Sequence, residues 1–154
     1  MERKLPTLGW REWLELPGLD IPAIKAKVDT GARTSALHTF FIEPFTVDGV
    51  HMVRFGIHPL QEDTSIERIC ETEVIDERLV TDSGGHRELR LVIVTSVLCL
   101  GLFWPVEITL TNRENMKFRM LLGRTALAGR FKVDPGVSFL NGRRDASIYS
   151  QGYI

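Results

Sequence analysis

The segment KVDTGARTSALH, Lys27 to His38, places one carboxylate, Asp29, at the mouth of a turn built from small residues. An alternating apolar strand leads into it, and Thr30, Gly31 and Ala32 follow. Two readings are open. The Asp29 side chain bonds the amides of an ordinary turn, as Asp does in many loops. Alternatively it is half of a paired-carboxylate centre, in which one member activates a water and the other protonates a carbonyl. The chain holds one Asp-Thr-Gly, so in the second reading the partner carboxylate is missing from this chain.

Histidine offers a different chemistry. His38, His51, His58 and His86 are the four imidazoles, and no two sit at the helical spacing that metal ligands favour. A barrel that gathers His38 and His86 with a carboxylate such as Glu88 or Asp29 would make a zinc peptidase, which stands as the alternative. No Walker loop, no His-Glu-x-x-His and no Gly-x-Ser-x-Gly elbow occurs, so those routes to ATP, zinc or serine chemistry are unsupported. Cys70 and Cys99 are too few for a disulfide framework and read as buried thiols in strands.

The elements that must position these groups are mostly strands. GWREWLELP closes at Pro17-Gly18, and IPAIKAKVD puts Ile24, Ala26 and Val28 on one face and lysines on the other. FTVDGVHMVRFGIHP carries Asp48-Gly49 between apolar arms, a hairpin signal, with Val53, Phe55 and Ile57 alternating behind it. CETEVIDERLVTDSGGHRELRLVIVT reads as one longer hairpin tipped by Asp82 to Gly85. LVIVTSVLCLGLFWPV reads as two buried strands meeting near Gly101, and WPVEITLTNR as a strand with Val106, Ile108 and Leu110 on one face. MKFRMLLGRTALAGRF runs from a strand through Gly123 into a short helical segment. The expected fold is a mostly-β, small closed barrel with one or two short helices. It is a single domain over 1–154 with a core of about 5–135; residues 136–154 read as an arm or flexible tail.

With 154 residues, 44% hydrophobic and 25% charged, the composition is that of one globular domain. A net charge of −1 gives no general footprint for nucleic acid. The start MERKLPTLGWREW lacks the apolar region of an export signal, and the apolar runs are too interrupted for a membrane span. The expectation is a cytoplasmic protein that binds neither nucleic acid nor membrane.

The lines KVDTGARTSALH, ERLVTDSGGHRE and ITLTNRENMKFRMLLGR, in that order across most of residues 24–128, resemble the retropepsin-like aspartic peptidases. More closely, they are similar to the bacterial family called ATP-dependent zinc proteases, which is associated with ATP-grasp glutamate ligases of the RimK type. The residues themselves support neither the zinc nor the ATP of that name. The resemblance implies a homodimer in which Asp29 faces its symmetry mate across a two-fold axis, with no metal cofactor. It implies that the Thr30 hydroxyl fixes the two loops across the dimer, and that Gly31 permits close backbone approach. Ala32 would keep the cleft floor small, and Leu121, Leu122 and Gly123 would pack behind the loop. Ser83, Gly84 and Gly85 would form a flap over substrate.

One departure stands out. Viral retropepsins place an acidic residue after the same four-residue motif, paired with the arginine of a later Gly-Arg. Here Arg33 occupies that place while Gly123-Arg124 is kept, so two cations would face the cleft. Either an internal carboxylate (Glu43, Glu88 or Glu107) or an acidic substrate should meet them. Arg33 and Arg124, with Arg78 and Arg113 on a wider rim, are therefore candidate contacts for the carboxylates of a glutamate-rich or glutamate-tailed peptide. The same cleft holding such a peptide without cleaving it is the remaining alternative.

Overall fold

Alternation of apolar and polar residues decides which strands form and which way they face. The computed structural model describes residues 4–82, 84–113 and 116–150. The first half of the chain runs β1 (Thr7–Leu8), β2 (Arg11–Leu16), β3 (Ile21–Asp29), β4 (Ser35–His38), β5 (Phe41–Val47) and β6 (Val50–Ile57). The second half runs β7 (Arg68–Glu73), β8 (Asp76–Thr81), β9 (Arg87–Cys99), β10 (Leu102–Thr111), β11 (Met120–Gly123), α1 (Arg124–Leu127) and β12 (Lys132–Val133). Short 3-10 turns span Pro17–Leu19 and Ala146–Tyr149.

The main sheet has the order β10-β4-β11-β3-β2-β9-β8, and β10 also pairs with β9. That extra pairing closes β10, β4, β11, β3, β2 and β9 on themselves, giving the small barrel expected. Its interior is filled by inward side chains: Leu14 and Leu16 of β2, Ile24 and Ala26 of β3, Ile93 of β9 and Ile108 of β10 are all 2% exposed or less. Lys25 and Lys27 point the other way, as the alternation of β3 requires. Cys70 and Cys99 are buried and unpaired, and burial pushes both thiols up to about 12. No helix among the described residues is long and apolar enough to cross a membrane.

A second sheet, β5-β6-β7, stands against this barrel. Val47 pairs with Val50 across Asp48 (φ 49°) and Gly49 (φ 80°). Two consecutive positive φ angles match the strand twist of a two-residue hairpin, which is why Asp-Gly sits there.

Two expectations change. The stretch Cys70 to Glu73 belongs not to the hairpin that follows it but to β7, which pairs with β6 and sets Cys70 opposite Phe55. Both of those side chains are buried, so the apolar side of that short strand is already used against β6. The β8–β9 hairpin starts only at Asp76, opposite Val92.

The segment after Pro135, read as an arm or flexible tail, packs back over the barrel through residue 150. Phe139 is 9% exposed and clusters with Trp13, Ala23 and Leu60 on the outer side of β2 and β3. The anchor is Glu12, fully buried, which accepts hydrogen bonds from the amides of Gly9 (2.7 Å), Leu140 (3.0 Å) and Asn141 (2.9 Å). The Asn141 side chain in turn donates to the Trp13 carbonyl (2.6 Å) and accepts from the Leu100 amide (2.8 Å). The Tyr149 hydroxyl donates to the Ala23 carbonyl.

Candidate active site

β3 ends at Asp29, beside Gly123 at the end of parallel β11. β11 itself lies between β3 and β4, because Leu121 opposes both Lys27 and Ala36. Its Leu122 is fully buried behind the loop, as expected of the packing segment. The loop between β3 and β4 is thereby tied from behind. The amides of Arg124 and Thr125 donate to the carbonyls of Ala32 (2.7 Å) and Arg33 (3.0 Å), and the Gly123 amide donates to Ser35 Oγ (3.0 Å). A Cβ on Gly123 would meet Thr34 C at 2.7 Å and Ala32 O at 3.0 Å, so only glycine allows this approach.

Within the loop, the Gly31 amide donates to Asp29 Oδ1 (2.9 Å) and the Ala32 amide to the Asp29 carbonyl (3.3 Å). Asp29 is half-buried, Thr30 and Gly31 are exposed, and Asp29 Oδ2 has no hydrogen-bond partner among the described residues. One oxygen is thus oriented by the backbone and the other is presented outward. The turn-capping and the chemical readings of Asp29 are compatible, since the amide bond orients the carboxylate without consuming it.

Ser35 was not singled out by sequence. It is fully buried, and its carbonyl accepts from Thr109 Oγ1 (3.2 Å), linking the loop to β10. The signal for it was present: a small hydroxyl at the first inward position of the strand that follows the loop.

The cations divide into two groups. Arg33 is exposed and has neither an ion pair nor a side-chain hydrogen bond among the described residues. Among the described residues the Arg124 side chain donates only to the Thr30 carbonyl (3.2 Å). The three internal carboxylates that might have met them are engaged elsewhere: Glu43 with Arg54 (3.5 Å), Glu107 with Arg78 (2.7 Å), and Glu88 with Arg90 (3.3 Å). Arg78 is held by Asp76 (2.8 Å) as well as Glu107, and Arg113 by Asp82 (2.7 Å). The basic rim is therefore narrower than the sequence suggests, because Arg78 and Arg113 already face the protein's own carboxylates.

β4 starts beside the Asp29 loop and runs away from it, with Ser35 opposite Ile108 and His38 opposite Thr111 of parallel β10. β9 is antiparallel to β10, with Ile93 opposite Ile108, so residues before Ile93 extend toward the His38 end. The tip of the β8–β9 hairpin lies five to six residues beyond Val92, roughly 20 Å along the strand. Gly84 and Gly85 lie at that tip. Ser83 lies outside the described residues. The tip is also a braced turn: Asp82 Oδ1 accepts from the amides of Gly84 and His86 (both 2.9 Å), and Gly85 has φ 84°. The hydrogen bond from Arg113, with those amides, holds the Asp82 carboxyl down at about 2.

Among the described residues no group of three or more His, Cys, Asp or Glu stands close enough to hold an ion. His86 is exposed, with Asp82 at 3.6 Å. His38 is buried, its Nδ1 finds no partner among the described residues, and the charges acting on it are Arg90, Arg113 and Arg119. Such surroundings repel a metal cation as they repel a proton.

Burial first, and those arginines second, pull His38 down from 6.5 to about 4. A lowered histidine value means that the unfolded chain binds a proton in that window and the folded chain does not. Stability should accordingly be full above pH 6.5 and fall by about 3 kcal/mol as pH drops to 4. Urea unfolding midpoints at pH 7 and pH 4.5 check this, with His38→Gln losing much less than wild type. An identical acid loss in both proteins would show that His38 is not the cause.

Known proteins resemble this chain in sequence and in fold. Two curated relatives, each named a probable alpha-L-glutamate ligase, match most of the chain. That of Shewanella halifaxensis is 46% identical over 146 residues, covering 95% of this chain and 32% of that protein. That of Parasynechococcus marenigrum is 48% identical over 135 residues, covering 88% and 29%. The chain therefore spans about a third of the length of the curated relatives it matches. A crystal structure of a protein of unknown function from Legionella pneumophila shares the fold, with a TM-score of 0.74 at 23% identity over 90% of this chain and 99% of that one. The family model described as retropepsin-like aspartic endopeptidase RimB matches residues 7–144, and the chain belongs to this RimB-like family.

Proposed function

We propose that the chain is the protomer of a homodimeric aspartic peptidase in which Asp29 meets Asp29 of a second copy. The observation that carries this reading is the Asp29 carboxylate itself: Oδ1 is held by the Gly31 amide while Oδ2 is left outward and unpartnered among the described residues. A two-fold axis is the natural way to set a residue opposite itself. Two carboxylates about 3 Å apart share one proton. The ionised one takes a proton from water, whose oxygen attacks the peptide carbonyl; the protonated one donates to the carbonyl oxygen. Collapse breaks the C–N bond, and the departing amine takes up the proton. This chemistry needs no metal, and the surroundings of His38 and His86 fit a metal poorly.

The substrate class follows from charge. Among the described residues Arg33 is unpaired and Arg124 meets no carboxylate, beside the loop that begins at Asp29. An acidic peptide would supply the missing anions through bidentate contacts. The names of the relatives, probable alpha-L-glutamate ligases, favour glutamate-rich or glutamate-tailed peptides and a working association with such a ligase.

The test is cleavage of a glutamate-tailed peptide by wild type and by Asp29→Asn, each with and without a strong chelator. Turnover that survives the chelator and disappears in the variant supports the aspartic mechanism. Chelator-sensitive turnover overturns it in favour of a metal, and tight binding without turnover in wild type marks a binding module. Arg33→Asp should lower kcat/KM on glutamate-rich peptides by about ten- to a hundredfold, the worth of one charge-assisted contact. Neutral peptides should be little affected. An equal loss on both kinds removes Arg33 from substrate selection.

A further inference from the structure

The outer face of β2 and β3 carries a second concentration of positive charge. Arg11 lies opposite Lys27, and Trp13 opposite Lys25, on the side covered by the C-terminal segment. Three cations converge on the single Phe139 ring: Arg143 at 4.5 Å from its centroid, Arg11 at 4.7 Å and Lys25 at 5.4 Å. Arg11 also lies over Trp10 (4.6 Å), and Lys25 over Trp13 (5.2 Å). None of Arg11, Lys25, Lys117 and Arg143 is paired with a carboxylate among the described residues; Arg11 reaches Ser138 and Lys25 reaches Gln61 instead. The charges that bear on Lys25 are all positive, from Arg11, Lys117 and Arg143, and with burial they lower its affinity for a proton.

A basic side chain often lays its stem on an apolar surface, which accounts for one cation per ring. It does not account for several cations crowded together with no carboxylate partner among the described residues, since an anion relieves their mutual repulsion. We propose that this face is a docking site for an extended acidic peptide segment, whose carboxylates fit between Arg11, Lys25 and Arg143. Neither guanidinium meets a carboxylate among the described residues, and apart from the Arg11 Nε–H given to Ser138 their N–H groups suit carboxylate oxygens. Nucleic acid suits the site less well, because bases need open ring faces and Trp13 and Phe139 are only 8% and 9% exposed.

The face is distinct from the loop that holds Arg33, yet it is connected to it. Lys25, Lys27 and Asp29 are alternate residues of β3, so the basic stripe reaches the candidate active site within roughly 13 Å. An acidic chain held on the stripe is kept near the cleft, which raises its local concentration there.

The experiment is a binding titration of the full chain carrying Asp29→Asn, using fluorescein-labelled oligoglutamate and, separately, labelled oligouridylate of equal charge. Lys25→Gln with Arg143→Gln should weaken oligoglutamate binding at least tenfold and flatten its salt dependence. Arg143→Gln alone, exposed and outside the barrel, should weaken it about threefold, so a folding defect at Lys25 cannot mask the result. Lys4→Gln with Lys132→Gln, an equal charge change elsewhere, should leave it within twofold. Unchanged binding in the patch variants, an equal loss in the control pair, or tighter binding of oligouridylate would each overturn the proposal. Turnover of a short neutral peptide by the patch variants with Asp29 intact reports separately on the catalytic reading.

Discussion

Asp29→Asn is expected to lower peptide turnover by at least about a thousandfold, the scale of losing a group that acts on the reacting atoms. The change is nearly isosteric. The amide oxygen can still accept from the Gly31 amide, so the loop keeps its 2.9 Å bond and the barrel its stability. What disappears is the ability to take a proton from water. The proposed dimer sharpens the measurement. If two copies of Asp29 act as one unit, mixing wild type with excess Asp29→Asn drains active homodimers into inactive mixed ones. Activity should then fall roughly with the square of the wild-type fraction. A linear fall would mean that each chain works alone and would remove the paired-carboxylate mechanism.

Glu12→Ala should cost about 4 kcal/mol of stability, the largest loss expected from a single side chain outside the loop. Three amides, of Gly9, Leu140 and Asn141, converge on this carboxylate in a place where water does not reach it. Removing the acceptor leaves those donors unpaired, each at about 1–3 kcal/mol before relaxation. Glu12→Gln should lose about half as much, because one oxygen remains while the new amide group faces a donor. Urea denaturation measures both. Limited proteolysis adds a local readout, since residues 136–150 should become the first segment cut in Glu12→Ala. A loss below about 1 kcal/mol with the tail still protected would show that the C-terminal segment is held by Phe139 and Tyr149 rather than by the carboxylate.

Short-range physics was readable in the amino-acid sequence. Alternation set the buried face of β3 and β10, and Asp48-Gly49 demanded the two positive φ angles of its hairpin. The order of Asp29-Thr30-Gly31, the β8–β9 hairpin and Leu121-Leu122-Gly123 implied the family to which the chain belongs. Neighbours in sequence decide such features, so nothing distant is needed to predict them.

Long-range closure decided the rest. Glu12 and Leu140 are 128 residues apart, and no local pattern says that a buried carboxylate waits for the amides of a distant tail. Arg78 and Arg113 look like free rim cations in the sequence, and only the pairing of β8, β9 and β10 brings Glu107 and Asp82 to them. The Asp82 turn has the composition of a mobile cover, and only the fold shows it braced by Arg113 and by the amides of Gly84 and His86. Arg11, Lys25 and Arg143 converge on Phe139 for the same reason: once the barrel closes, its curved outer face gathers side chains that the linear chain keeps far apart.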